Sequence, residues 1–268
     1  MCATCGCTGE DETHHARARG FARAPAGLHG RRQLQSTAPR TTLQLERSIL
    51  QKSQRLADRN RAWLAARACV AFNLMGSPGA GKTALLEALT QTMPQFPLAV
   101  VEGDQATERD AERIRRAGCP AVQLNTGTGC HLDPSSVLRG LEALAPPPSS
   151  RIFFENVGNL VCPALFDLGE MARVVVLSVT EGDDKPLKYP HMFRACDAVV
   201  LSKIDLLAHV EFDVAHASEH LLALNPDVRI FQVAATRALG LAPLSDWLLS
   251  FEPGSVVVDE LAPEISES

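Results

Sequence analysis

The clearest chemistry in the chain lies in eight consecutive residues, Gly76-Ser77-Pro78-Gly79-Ala80-Gly81-Lys82-Thr83. They match the phosphate-binding pattern G-x-x-x-x-G-K-[ST], between the apolar run 70–75 and the helix-forming stretch 84–89. Glycines let a backbone wrap a polyphosphate with its N–H groups turned inward, and the N-terminus of the following helix adds partial positive charge. Gly76, Ser77, Gly79, Ala80, Gly81 and Ala84 are therefore candidate nucleotide contacts. Lys82 is placed to reach the β and γ phosphates, and Thr83 to offer its hydroxyl to Mg²⁺, which shares its oxygen ligands with phosphate and water.

Acids follow two further apolar runs, Glu102-Gly103-Asp104 after Val101 and Glu155-Asn156 after Phe154. In open α/β sheets ligands sit at the carboxyl ends of the strands, so these acids face the phosphate loop where Mg²⁺ and an attacking water must be placed. Lys82, Asp104 and Glu155 are the candidate catalytic residues. Ser202-Lys203-Ile204-Asp205 is similar to the Asn-Lys-x-Asp element that reads guanine. Asp205 could accept from the ring N–H and exocyclic amine of that base, with Lys203 beside it. Ser202 in place of Asn removes an amide expected to help hold base and loop, so GTP is favoured over ATP without excluding it. Ala234-Ala235-Thr236 stands where such folds supply a base-contacting backbone N–H.

Cysteine spacing points to metal. Cys2, Cys5 and Cys7 fall within the first seven residues, close enough for several thiolates to converge on one nickel, copper(I) or zinc ion. A redox Cys-x-x-Cys normally opens a helix after a strand, and no such strand precedes them. Cys130, His131 and Cys162 follow two candidate strands and could meet near the nucleotide, where two thiolates and an imidazole suit zinc or nickel. Cys69, Cys119 and Cys196 are expected to be buried small hydrophobes. His14, His15 and His29 are expected to be solvated residues of a tether.

The elements that must position these residues are legible as alternating runs. The 268 residues are 46% hydrophobic but only 5% aromatic, a composition suited to aliphatic strands buried on both faces of a parallel sheet. Strands are expected at 70–75, 98–101, 121–124, 152–154, 174–179, 198–201 and 229–233. Helices are expected at 107–117, 134–144, 212–224 and 241–249. Strand alternating with helix predicts a doubly wound, mostly parallel α/β sheet. Leu45, Ile49, Leu56, Trp63 and Leu64 predict a long amphipathic helix leading into the first strand, its stripe packed on the domain. The expected organisation is a flexible metal-binding tail over 1–40, a nucleotide-binding domain over 41–252 and a frayed tail over 253–268.

Net charge is −5, and residues 1–40 hold six Arg against three acids, so nothing suggests nucleic-acid binding. No apolar run approaches the ~20 residues of a membrane span. Arg31-Arg32 is not followed by an apolar stretch, so neither a twin-arginine nor a Sec signal is supported, and the expected compartment is the cytoplasm.

Several motifs together resemble the HypB family, nickel-incorporation GTPases of [NiFe]-hydrogenase maturation. They are Cys2-x-x-Cys5-Gly6-Cys7, the phosphate loop, Glu102-Gly-Asp-Gln105, Gly129-Cys-His-Leu-Asp133, Glu155-Asn-Val-Gly-Asn-Leu-Val-Cys-Pro163 and Glu181-Gly-Asp-Asp-Lys-Pro-Leu-Lys-Tyr-Pro190. The likeness runs from Cys2 to Asp205. It implies a nickel site at Cys2, Cys5 and Cys7 and a second metal site, nickel or zinc, at Cys130, His131 and Cys162. It also implies GTP hydrolysis to GDP, nucleotide- or metal-dependent homodimerisation, and delivery of nickel to the hydrogenase large-subunit precursor with a HypA-type nickel/zinc accessory protein. Two features depart from the family: Ser202 replaces its usual Asn, and the tether lacks the histidine run of nickel-storing members. Two other classes share part of the pattern. A urease-accessory metallochaperone GTPase would have the same fold, and a P-loop ATPase or small-molecule kinase would carry only structural cysteines.

Overall fold

The computed structural model describes residues 40–104, 109–127, 129 and 131–254, with side chains from residue 51 onward. Cys2, Cys5, Cys7, Cys130 and the two expected tails, apart from Arg40 and the first residues of the C-terminal one, lie outside the described residues.

One parallel sheet of seven strands organises the chain. Its strands are β1 (Val70–Gly76), β2 (Leu98–Asp104), β3 (Ala121–Asn125), β4 (Arg151–Glu155), β5 (Ala172–Ser178), β6 (Ala198–Ser202) and β7 (Arg229–Val233). Their order across the sheet is β3-β2-β4-β1-β5-β6-β7, which puts β1 at the centre, between β4 and β5. Around it run α1 (Arg40–Ala65), α2 (Lys82–Thr92), α3 (Arg109–Arg116), α4 (Pro134–Leu144), α5 (Lys185–Lys188), α6 (Pro190–Arg194), α7 (Val214–Leu224) and α8 (Leu241–Leu249).

Because successive side chains of a strand point to opposite faces, a strand covered on both sides buries every position. β1 does so along its whole length. Phe72 and Leu74 pack with Leu85, Leu86 and Leu89 of α2 and with Leu244 and Leu248 of α8, whereas Ala71 packs with Leu64 at the end of α1. Each large side chain so buried contributes about 1.5–3 kcal/mol. The centre of the sheet is thereby a rigid platform from which the phosphate loop departs.

The second half of the leading helix packs on the domain: of its expected stripe Leu64 is buried and Leu56 and Trp63 are half-buried, while the side chains of Leu45 and Ile49 lie outside the described residues. Ala57, Asn60 and Leu64 are buried on one face of α1. Asn60 Nδ2 donates to the carbonyls of Pro134 (2.9 Å) and Leu168 (2.8 Å). Gly169 is required opposite, because a Cβ there would lie 2.7 Å from the Ala57 carbonyl oxygen.

Two boundaries differ from expectation with consequences for the site. β2 does not stop at Val101 but continues through Asp104, paired residue by residue with β3. Glu102 and Asp104 are thus strand residues on one face, not loop residues. α7 starts at Val214 because Asp213 caps it, accepting from the N–H groups of Ala215 (2.8 Å) and His216 (3.1 Å). Among the described residues no helix is long and apolar enough to cross a membrane.

Candidate nucleotide and metal site

The phosphate loop leaves β1 through three glycines that no other residue could replace without strain. Gly76 runs so close to β5 that a Cβ would meet the Val176 carbonyl oxygen at 2.4 Å, and Gly79 and Gly81 have φ of 73° and 100°. Gly81 is also the N-cap of α2 and supplies no side-chain cap, which leaves the first N–H groups of that helix for a ligand. A cleft of about 480 Å³ opens there, lined by Gly79, Gly81, Lys82, Thr83 and Ala84 and by Glu102, Asp104 and Glu155. Sequence-derived residues from three separate segments therefore meet in one place.

Inside the cleft, ionisable side chains are concentrated and buried. Glu102 and Glu155 are register partners across β2 and β4, and they are 3% and 4% exposed. Burial, then the neighbouring Glu155, pushes the Glu102 carboxyl up to about 8. Burial raises Glu155 to about 7, against the opposing pull of Lys82 and of the Thr83 hydroxyl. Thr83 Oγ1 donates to Glu155 Oε1 at 2.8 Å, while Oε2 of each glutamate is buried with no hydrogen-bond partner. Lys82 Nζ donates to the carbonyls of Gly76 and Ser77, both at 3.3 Å, and burial lowers its pKa despite the surrounding acids. Asp104 lines the cleft at the end of β2.

The segment expected to read the base also braces the phosphate loop. Ser202 Oγ donates to the Ala80 carbonyl and Lys203 Nζ to the Gly79 carbonyl, each at 2.6 Å. Ser202 thus keeps the loop-holding part of the role that its missing amide was expected to lose. Asp205 stands in the 3₁₀ turn that follows, ion-paired to Arg237 Nε at 3.2 Å. The Ala234 N–H is taken by the Leu239 carbonyl at 3.1 Å.

Next to the carboxylates lie the loops bearing the candidate metal ligands. Asn156, directly after Glu155, accepts from the Leu132 N–H at 2.9 Å and donates to Asn73 on β1 at 3.2 Å. Leu132 lies over Gly103, where a Cβ would collide with its side chain at 2.7 Å. His131, the residue before Leu132, stacks on Phe166 with ring centroids 4.0 Å apart and planes within 7°. Cys162 opens the short 3₁₀ turn Cys162–Leu165 that leads to Phe166, and it is partly exposed. Burial holds the His131 imidazole below its ordinary pKa, which favours the neutral ring that metals require. Among the described residues no three His, Cys, Asp or Glu side chains converge as a metal centre. The proposed third ligand of this set, Cys130, lies outside them.

The nucleotide-binding domain family described as CobW/HypB/UreG matches residues 70–232. The hydrogenase maturation factor HypB of Escherichia coli K12 is 43% identical, over 92% of this chain and 98% of its own. This chain belongs to the HypB family. Two solved HypB structures superpose on it. That of Helicobacter pylori, in complex with nickel, has a TM-score of 0.71 at 39% identity, covering 74% of this chain and 94% of its own. That of Archaeoglobus fulgidus has a TM-score of 0.70 at 37% identity, covering 75% and 98%.

For a HypB-family chain, the sequence motifs were informative in a particular way. They located Lys82, Thr83 and Glu155 and set Glu102 among the acids facing the phosphate loop, but gave no sign that its carboxylate lies beside that of Glu155. The alternation Val100-Glu102-Asp104 could have revealed that pairing, had the strand been read past Val101. Also passed over were Asn156 as the tie between the two sites and Arg237 as the partner of Asp205. The remaining cysteines are as expected: Cys69, Cys119 and Cys196 are buried. Burial raises the Cys69 thiol and pushes those of Cys119 and Cys196 up to about 11 and about 12, so they stay protonated and poor ligands at neutral pH.

Proposed function

We propose that this chain is a cytoplasmic GTP-hydrolysing nickel metallochaperone that passes nickel to the large-subunit precursor of a [NiFe] hydrogenase. In this reading it acts as a nucleotide-dependent homodimer with a HypA-type accessory protein. The nickel-bound HypB relative supports the cargo, and the name of the Escherichia coli relative supports the process. Residues 1–40 would form a metal-binding tail and 41–252 the GTPase domain.

Each group has a role in that reading. Backbone N–H groups of the loop and Lys82 hold the phosphates. The buried, unpartnered Oε2 atoms of Glu102 and Glu155 together with the Thr83 hydroxyl make a set of hard oxygen donors that fits Mg²⁺. With nucleotide bound, that ion would neutralise charge between the β and γ phosphates. Asp104 and Glu155 would orient the attacking water, and Asp205 would read the guanine. Cys2, Cys5 and Cys7 would hold nickel at the tail, and Cys130, His131 and Cys162 in the domain.

The single observation that carries coupling is the Asn156 bridge. Glu155 and Leu132, one residue from His131, are joined through one buried amide, so a shift of β4 at the nucleotide is passed to the metal loop. GTP would order the carboxylates and the metal ligands together, and hydrolysis would loosen both. The test is nickel and zinc stoichiometry of the reduced protein and of a Cys2, Cys5 and Cys7→Ala variant, each with GDP and with a non-hydrolysable GTP analogue. The expected result is nickel at the tail in the wild type and a weaker, nucleotide-sensitive metal retained by the variant. Absence of nickel from both, or equal competition by ATP with no effect of metal on turnover, would overturn the reading in favour of a P-loop ATPase.

A further inference from the structure

α7 carries two histidines four residues apart, His216-Ala217-Ser218-Glu219-His220. Residues at this spacing stand one above the other on the same face of a helix. The two ring centroids are 4.1 Å apart with planes inclined by 55°, an approach close enough for one ion to be reached from both rings. Asp183, between β5 and α5, has its Oδ2 3.2 Å from His216 Nδ1. A neutral His216 donating through Nδ1 presents the lone pair of Nε2, the arrangement by which carboxylates orient metal-bound imidazoles.

His220 supplies the second, independent sign. Its Nδ1 is buried and has no hydrogen-bond partner, a cost that a bound cation would relieve. The field around the pair is favourable to a cation. Asp183, Glu211 and Asp213 line the adjoining shallow cleft, and the nearby Lys185 and Lys188 are ion-paired with Glu181 and Asp184.

We propose that His216 and His220 chelate one divalent ion of the imidazole-preferring class, such as Zn²⁺ or Ni²⁺. His216 binds through Nε2 and His220 through a ring nitrogen, Asp183 orients His216, and water completes the shell. This is a site of two protein ligands, in keeping with the absence of any three-residue cluster among the described residues. It shares no residue with the cysteine-bearing sites proposed above. A bound ion would fasten the segment carrying Asp183 to α7.

The experiment uses the full chain without a histidine tag, with Cys2, Cys5, Cys7, Cys130 and Cys162 all changed to Ala so that thiolates cannot compete. Zn²⁺ alone is titrated while bound metal and the histidine ring resonances are followed. One equivalent is expected, with the His216 and His220 resonances shifting together. His216→Ala and His220→Ala should each lose that equivalent. Asp183→Asn should keep it with roughly 10- to 100-fold weaker binding. An unchanged stoichiometry in both histidine variants, or stationary His216 and His220 resonances while Zn²⁺ binds, overturns the proposal. Should the five-cysteine variant fail to fold, the unaltered chain taken past saturation of its thiolate sites must show the same two resonances moving, and their failure to move overturns it equally.

Discussion

Glu102 and Glu155 present two buried carboxyl groups side by side, and burial makes each resist ionisation. Their folded pKa values, about 8 and about 7, lie above the ordinary 4.5. Between those limits the folded chain binds more protons than the unfolded one, so stability falls as pH rises. The contribution of the pair is full below about pH 4.5 and is lost as pH climbs through 7 and 8. Without nucleotide or divalent cation, the urea midpoint is therefore expected to decline between about pH 5 and 8. Glu102→Gln should flatten that decline by removing one ionisation and the repulsion it feels. A variant whose midpoint tracks that of the wild type at every pH would contradict the buried-pair account. At this scale the sequence revealed what a motif carries and hid what a fold creates. Lys82, Thr83 and Glu155 stand in local patterns, while Glu102 gains its raised pKa from burial in the folded sheet and from a register partner 53 positions away.

The element that decides how the two halves of the site communicate is the C-terminal end of β4 with the turn after it. Gly158 lies so close that a Cβ would touch Pro78 of the phosphate loop at 2.8 Å, and the Asn159 N–H donates to the Gly76 carbonyl at 3.0 Å. This same segment leads on to Cys162. Asn156 at its head is 2% exposed, so Asn156→Ala leaves the buried Leu132 N–H unpaired at a cost of about 1–3 kcal/mol. Chemical denaturation should show that loss. Metal affinity of the Asn156→Ala variant should no longer differ between GDP and a GTP analogue, whereas a preserved difference would place the coupling elsewhere. The seven strands were legible because each is a short aliphatic run between breakers. α5 and α6 were not, since Pro186 and Pro190 punctuate helices of four and five residues that carry too few turns for any periodicity.

At the scale of the molecule, the sheet, the phosphate loop and the three clusters of buried side chains all lie within residues 57–248. A chain beginning at Thr41 should then unfold in one cooperative transition and keep the whole nucleotide response. That response follows from linkage, because a ligand bound only by the folded form adds about 2.7 kcal/mol at a hundred times its Kd. For a domain of this size each kcal/mol moves the midpoint by about 2–4 °C, so Mg²⁺ with GDP should raise Tm by roughly 5–11 °C. The rise should be the same with and without the first forty residues. It should shrink sharply in Lys82→Ala, because the Lys82 ammonium is buried in the cleft between the phosphate loop and the carboxyl groups of Glu102 and Glu155. Scanning calorimetry on the three proteins separates the cases. A smaller rise in the shortened chain would mean that the tail takes part in nucleotide binding, and a full rise in Lys82→Ala would mean that the phosphates sit outside this cleft.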